Sequence, residues 1–154
     1  MTRGGRSIQQ CHQSPGPQST PKLDYDSFDW NSPEAFRRTI YRYVWRGIPD
    51  PFMASLDFPD LGLLAPTRGF SASPMQALAL FNHRFVLVHS EKMAVSIARE
   101  VPEVRGQVIE ATWRAFGRDP TAVELEEMVG LVERRGLAAL CRVLLNTNEL
   151  LFVP

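Results

Sequence analysis

The chain of 154 residues carries 17 basic and 17 acidic residues, seven of each in 1–60 and ten of each in 61–154, so no part is basic enough to track a phosphate backbone and nucleic acid is not an expected partner. The length fits one domain with a modest core. Two cysteines, Cys11 and Cys141, are too few for a disulfide framework or a zinc site, no apolar run is long enough to span a membrane, and no hydrophobic segment at the start reads as a secretory signal of its own.

Residues 1–32 show neither helical nor strand period. They are rich in Gly, Pro, Ser and Gln at first, then aromatic and acidic, which predicts an irregular arm. Tyr25, Phe28 and Trp30 are too apolar for a linker, and are expected to pin the arm to the body through their rings.

Ser32-Pro33-Glu34 is a helix start: cap, fixed φ, then a negative charge in the first turn. Phe36, Ile40, Tyr43 and Val44 recur at helical spacing and predict one apolar face, with Gly47 as the stop. Arg38, Arg42 and Arg46 share another face, either as an anion-binding stripe or, more plainly, as solvated partners of nearby carboxylates. Asp50-Pro51 starts a short helix through Leu56, and Asp57-Phe58-Pro59-Asp60 turns the chain. Asp57 and Asp60 stand three apart with Arg68 downstream. Paired carboxylates can do acid/base chemistry or hold calcium, but the Asp-rich loop of a calcium hand is missing, and pairing with an arginine is the simpler role.

Ser73-Pro74 repeats the cap-then-proline start. The helix behind it carries Leu78 and Phe81 on one side and ends or bends at Asn82. A further helix carries Phe85, Val88, Ala94, Ile97 and Ala98 and runs to Glu100. His83 and His89 lie six apart, do not share a helix face, and read as surface or cap residues rather than a metal pair. Val104, Val108, Ala111 and Ala115, widened by Ile109, Trp113 and Phe116, predict the next helix, closed by Gly117. Thr121 to Glu124 has the form of a capping box, and Leu125, Met128, Val129 and Val132 follow at helical spacing. Gly136 precedes a last helix with Leu137, Leu140, Cys141, Leu144 and Leu145 inside, where Cys141 reads as a buried, inert thiol. The tail, Leu150 to Val153, is apolar and reads as a strand. The turn GRDPT between two of these helices suggests a helix-turn-helix, but Glu124, Glu126, Glu127 and Glu133 on the second helix would repel DNA.

Taken together, several motifs carry a resemblance: SPGPQSTP at 14–21, FDW at 28–30, RRTIYRYVWRG at 37–47 and DPFMASLDFPD at 50–60. TRGFSASPMQALALFNHRFV at 67–86, AFGRDPTAVE at 115–124 and LCRVLLNTNELLFV at 140–153 continue it. The chain resembles the C-terminal part of the planctomycete-type domain of unknown function 1553. The resemblance implies large exported bacterial proteins, in which the domain often stands behind a c-type haem domain. It also implies a domain longer than this chain, extending upstream of Met1. The chain is then expected to be a fragment whose partner is the missing upstream part or another protein. The face of Phe36, Ile40 and Tyr43 is the first candidate for the surface left bare. This chain has no C-x-x-C-H, so no cofactor is expected in it and any haem belongs to a neighbour.

The expected fold is mainly α: an irregular helical domain of five or six helices, with the arm at 1–32, the helical body at 33–154 and a long central loop. The expected function is a non-catalytic accessory or interaction module. The enzymatic alternative is a hydrolytic or carbohydrate-active site in the Asp57–His83 loop, with Asp57, Asp60, Arg68, Asn82 and His83 as its candidates.

Overall fold

A computed structural model describes residues 7–14, 22–25, 27–36, 39–45, 48–59 and 73–151. The expected Gly47 stop, Arg38, Arg46, Asp60 and Arg68 lie outside these residues. The fold is mainly α, as the sequence predicts. Among the described residues it has seven α-helices, two short strands and two 3-10 turns, and no helix is long and apolar enough to cross a membrane. The chain divides into two compact units, Met1–Gln76 and Ala77–Pro154.

The first unit is built on irregular backbone. Strands β1 (His12–Ser14) and β2 (Lys22–Asp24) pair antiparallel, where the sequence shows no strand period. Of the three rings expected to pin the arm, Tyr25 reaches beyond it, and Phe28 and Trp30 pack on each other. Phe28 and Trp30 are buried and meet edge to face, 4.9 Å between centroids, and the Tyr25 hydroxyl donates to the Ile48 carbonyl at 2.9 Å. Gln10, also buried, donates to the Glu34 carbonyl at 3.2 Å.

The helix expected from Pro33 onward does not form. The structure has instead 3-10 turns at Pro33–Phe36 and Thr39–Tyr41, and after the bridge at Arg42 residues 43–45 have no regular structure. The reason is a competing use of the backbone. Ile8 of the arm donates to the Tyr41 carbonyl at 2.8 Å and accepts from the Tyr43 amide at 2.7 Å, a parallel bridge that takes groups a helix would need. The β-branched and aromatic residues of TIYRYVW fit extended backbone well. The short helix after Asp50 does form. Helix α1 (Pro51–Ser55) starts on Asp50, whose Oδ1 accepts from the Phe52 and Met53 amides, and it is capped at Leu56. Asp57 follows with φ 54°, the turn that redirects the chain.

Helix α2 (Pro74–Asn82) begins at the boundary of the units, with Ser73 Oγ accepting from the Gln76 amide. Its expected apolar side is reversed: Leu80 is buried, while Leu78 and Phe81 are exposed. In the second unit, α3 (Arg84–Glu100) packs chiefly on α6 (Leu137–Leu144), and α4 (Val104–Phe116) on α5 (Ala122–Arg135). One core joins them, with Ile97, Val108, Ala111, Leu140, Cys141 and Leu144 shut off from solvent. The stripe on α4 is narrower than expected, since Ile109 and Trp113 face water. Gly117 closes α4 at φ 70°, a left-handed position suited to glycine. Gly136, at φ 84°, both ends α5 and starts α6. The strand expected at Leu150 to Val153 is corrected over Leu150 and Leu151, while Phe152 and Val153 lie outside the described residues. Asn148–Leu151 form helix α7, because the Thr147 carbonyl accepts from the Leu150 and Leu151 amides and Arg118 holds Glu149.

Candidate functional site

Among the described residues the first unit encloses a cavity of about 320 Å³. The segments on either side of Ile48 supply its walls: Tyr43, Val44 and Trp45 before it, and Pro49, Asp50, Met53 and Ala54 after it. Tyr25 comes from the arm, and Phe58 and Pro59 from the turn after α1. The bridge from Ile8 keeps this stretch out of a helix, and Tyr43, Val44 and Trp45 in succession all reach the cavity wall. A helix over the same residues would have put Tyr43 and Val44 on one face.

The charged groups of the cavity wall are Arg42 and Asp50, and they are closed on each other in an ion pair between nearly buried side chains. Asp50 is fully engaged: Oδ2 meets Arg42, and Oδ1 caps α1. Arg42 also lies over the Tyr25 ring, 5.8 Å from its centroid. Burial pushes the Tyr25 hydroxyl above its ordinary pKa, and so does the nearby Asp50 charge. Tyr43 and Trp45 meet edge to face at 5.3 Å, with the Tyr43 ring about half exposed. The Trp45 indole N–H is buried and has no hydrogen-bond partner. A donor left in that state costs about 1–3 kcal/mol.

The sequence candidates fall elsewhere or outside the described residues. Asp57 is at the turn beside the cavity and belongs to the first unit. Asp60 and Arg68 lie outside the described residues. Asn82 and His83 belong to the second unit, where both serve helix ends. Asn82 donates to the Leu78 carbonyl at 3.1 Å, and His83 Nδ1 accepts from the Phe85 amide at 3.1 Å as the cap of α3. His89 bonds the Phe85 carbonyl and stacks on the Phe85 ring, with burial holding its pKa below the ordinary value. Among the described residues, no three His, Cys, Asp or Glu side chains converge as a metal site would require. Both thiols are buried, and burial raises the pKa of each, to about 11 for Cys141.

The catalytic candidates of the sequence do not include Tyr25, Trp45, Asp50 or Arg42, and Arg42, expected as an anion-binding residue or a solvated partner of a carboxylate, is paired with Asp50 and nearly buried. A signal was present in YRYVWRGIPDPF at 41–52, the densest run of aromatic, proline and opposed charges in the chain. A helical reading of its first half spread those side chains around a cylinder and hid their convergence.

The model of one protein family, described as PSD1: Protein of unknown function (DUF1553), matches residues 2–132. No curated protein and no solved structure matches the chain. The match covers most of the chain, which belongs to this family.

Proposed function

We propose that this member of the DUF1553 family is a non-catalytic interaction module of a larger exported bacterial protein, and that the cavity of its first unit is the working surface. The observation that carries the reading is the state of Asp50. It is the carboxylate of the cavity wall among the described residues, and both its oxygens are already engaged, by Arg42 and by the start of α1. A carboxylate so engaged holds the wall in shape and is not free to move a proton to or from a substrate. Around it stand aromatic and proline side chains, which offer contact area rather than chemistry. The exported setting follows from the family resemblance of the sequence.

Two assays test this. Purified chain incubated with chromogenic glycosides, esters and peptides, and with soluble polysaccharides, is expected to release nothing above the buffer rate. Turnover lost in an Asp57→Asn variant would overturn the reading in favour of a hydrolytic site near the turn after α1. Fractionation of cells making the native gene product should place it outside the cytoplasm, and recovery in the cytoplasmic fraction alone would contradict the exported setting.

A further inference from the structure

We propose that the cavity of the first unit binds a monocarboxylate carried on an apolar group, either a free acid or the C-terminal residue of a polypeptide, an assignment that rests on the reading of the cavity as a non-catalytic binding surface. Arg42 carries the argument. A guanidinium has five N–H donors in a planar fork. The Arg42 Nη2 donates to Asp50 Oδ2, and among the described residues Nε and Nη1 meet no acceptor. The side chain is 7 % exposed, so bulk solvent reaches it poorly. Among the described residues, the buried polar side-chain atoms without a partner are Ser32 Oγ, Trp45 Nε1 and Gln76 Oε1, and no Arg42 nitrogen is one of them. The spare donors therefore keep a path out, and the open space that Arg42 lines is the cavity.

Charge selects the head of the ligand. Asp50 divides its carboxylate, one oxygen to Arg42 and the other to the Phe52 and Met53 amides, so the guanidinium receives one oxygen and not a facing pair. Two other arginines of the chain each hold two carboxylates: Arg114 takes Glu100 and Glu110, and Arg118 takes Glu124 and Glu149. Arg42 is the same fork with one carboxylate in place and a cavity beside it. A second carboxylate matches its spare donors in both shape and charge. A dianion such as a phosphate monoester brings a further negative charge next to Asp50, and repulsion disfavours it. The rest of the wall selects the body. Tyr43, Trp45, Met53 and Phe58 offer aromatic and apolar contact around about 320 Å³, room for a small acid or one terminal residue. Tyr43 and Val44 are exposed, so a chain attached to that body has a way out beside them.

The test uses the full chain at neutral pH, with binding measured by calorimetry. The probes are 3-phenylpropionate and acetyl-Gly-Gly-Phe with a free carboxylate, and the comparisons are the amide of each and phenyl phosphate. Each acid is expected to bind roughly tenfold to a hundredfold more tightly than its amide, the worth of a hydrogen bond to a charged group. Tighter binding of the peptide acid assigns the site to a polypeptide end, and equal or tighter binding of the free acid assigns it to a small molecule. Arg42→Lys keeps the charge beside Asp50 and removes the fork, so it should weaken the acids by roughly tenfold and leave the amides alone. Tyr43→Ala, a change at a half-exposed ring, should weaken acid and amide alike. Circular dichroism checks that the variants are folded, and the acid-amide comparison on the parent chain decides the matter should Arg42→Lys not fold. The proposal is overturned if neither acid binds, if the amides or phenyl phosphate bind as well as the acids, or if folded Arg42→Lys binds the acids like the parent chain. Those results leave the module reading standing, because that reading falls only on turnover in the separate hydrolysis assay.

Discussion

Asp50 shows how one side chain can settle the character of a site. Its two oxygens serve different neighbours, one the start of α1 and the other the Arg42 guanidinium. Asp50→Ala removes the cap and leaves a nearly buried guanidinium without its partner, and breaking a buried pair from one side costs about 3–5 kcal/mol. We expect a loss of that order in urea unfolding followed by tryptophan fluorescence, and a change under 1 kcal/mol would mean the pair is solvated. Cys141 makes the opposite case, a reactive group silenced by its surroundings. It is fully enclosed by the core of the second unit, its pKa pushed up to about 11, and only the thiolate is a good nucleophile. At pH 8 iodoacetamide should label Cys141 only after unfolding. Labelling of the native chain at the rate of a free cysteine would contradict its placement on the inner face of α6.

At the scale of elements, the start of α5 is the most fully determined piece of the molecule. Thr121 accepts from the Glu124 amide, and the Glu124 carboxylate accepts from the Thr121 amide at 2.7 Å. Arg118 then joins Glu124 to Glu149 of α7, so the turn, the helix start and the last helix share one cluster. Its hydrogen bonds with Arg118 and Thr121 hold the Glu124 pKa at about 2, against an ordinary 4.5. A depressed carboxylate stabilises the fold above its unfolded value and loses that contribution as pH falls through its folded value. The melting-temperature gap between the parent chain and Glu124→Gln should therefore be constant above about pH 5 and close steadily between 4.5 and about 2. A gap independent of pH over that range would show that the carboxylate's charge plays no part. This element was legible in the sequence because all its determinants lie within a few residues. The start of α1 at Asp50 was legible for the same reason, as were the glycine stops at 117 and 136. The stretch 33–45 was misread because its conformation depends on Ile8, far back in the chain, whose bridge to Tyr41 and Tyr43 leaves no local mark. The start of the tail differs for another reason: the apolar run from Leu150 suggests a strand, but a helix of one turn at 148–151, which takes in Leu150 and Leu151, is set by Thr147 and by the grip of Arg118 on Glu149.

At the scale of the whole molecule, the two units rest on different principles. The second has helices with caps at most ends and a continuous core drawn wholly from residues 94–144. Residues 77–154 made alone should therefore give a helical circular dichroism spectrum and a cooperative melt, and a featureless melt would mean the core is completed from elsewhere. The first unit is held by bridges, single hydrogen bonds and ring contacts, and the cavity lies there. Periodicity is the strongest signal a sequence offers, and it describes the helical unit well. The site was less legible, since a cavity assembled from irregular segments has no period, and of its residues only the density of aromatics, prolines and opposed charges at 41–52 gave a sign.

The most direct test of the account is a map of amide chemical-shift differences between the parent chain and Asp50→Asn. The account predicts that the largest differences gather on Tyr25, Arg42 and the start of α1, the groups that the Asp50 carboxylate organises, and that the core of residues 94–144 keeps its shifts. Differences confined to the helical unit, or none at Arg42 and the start of α1, would contradict it.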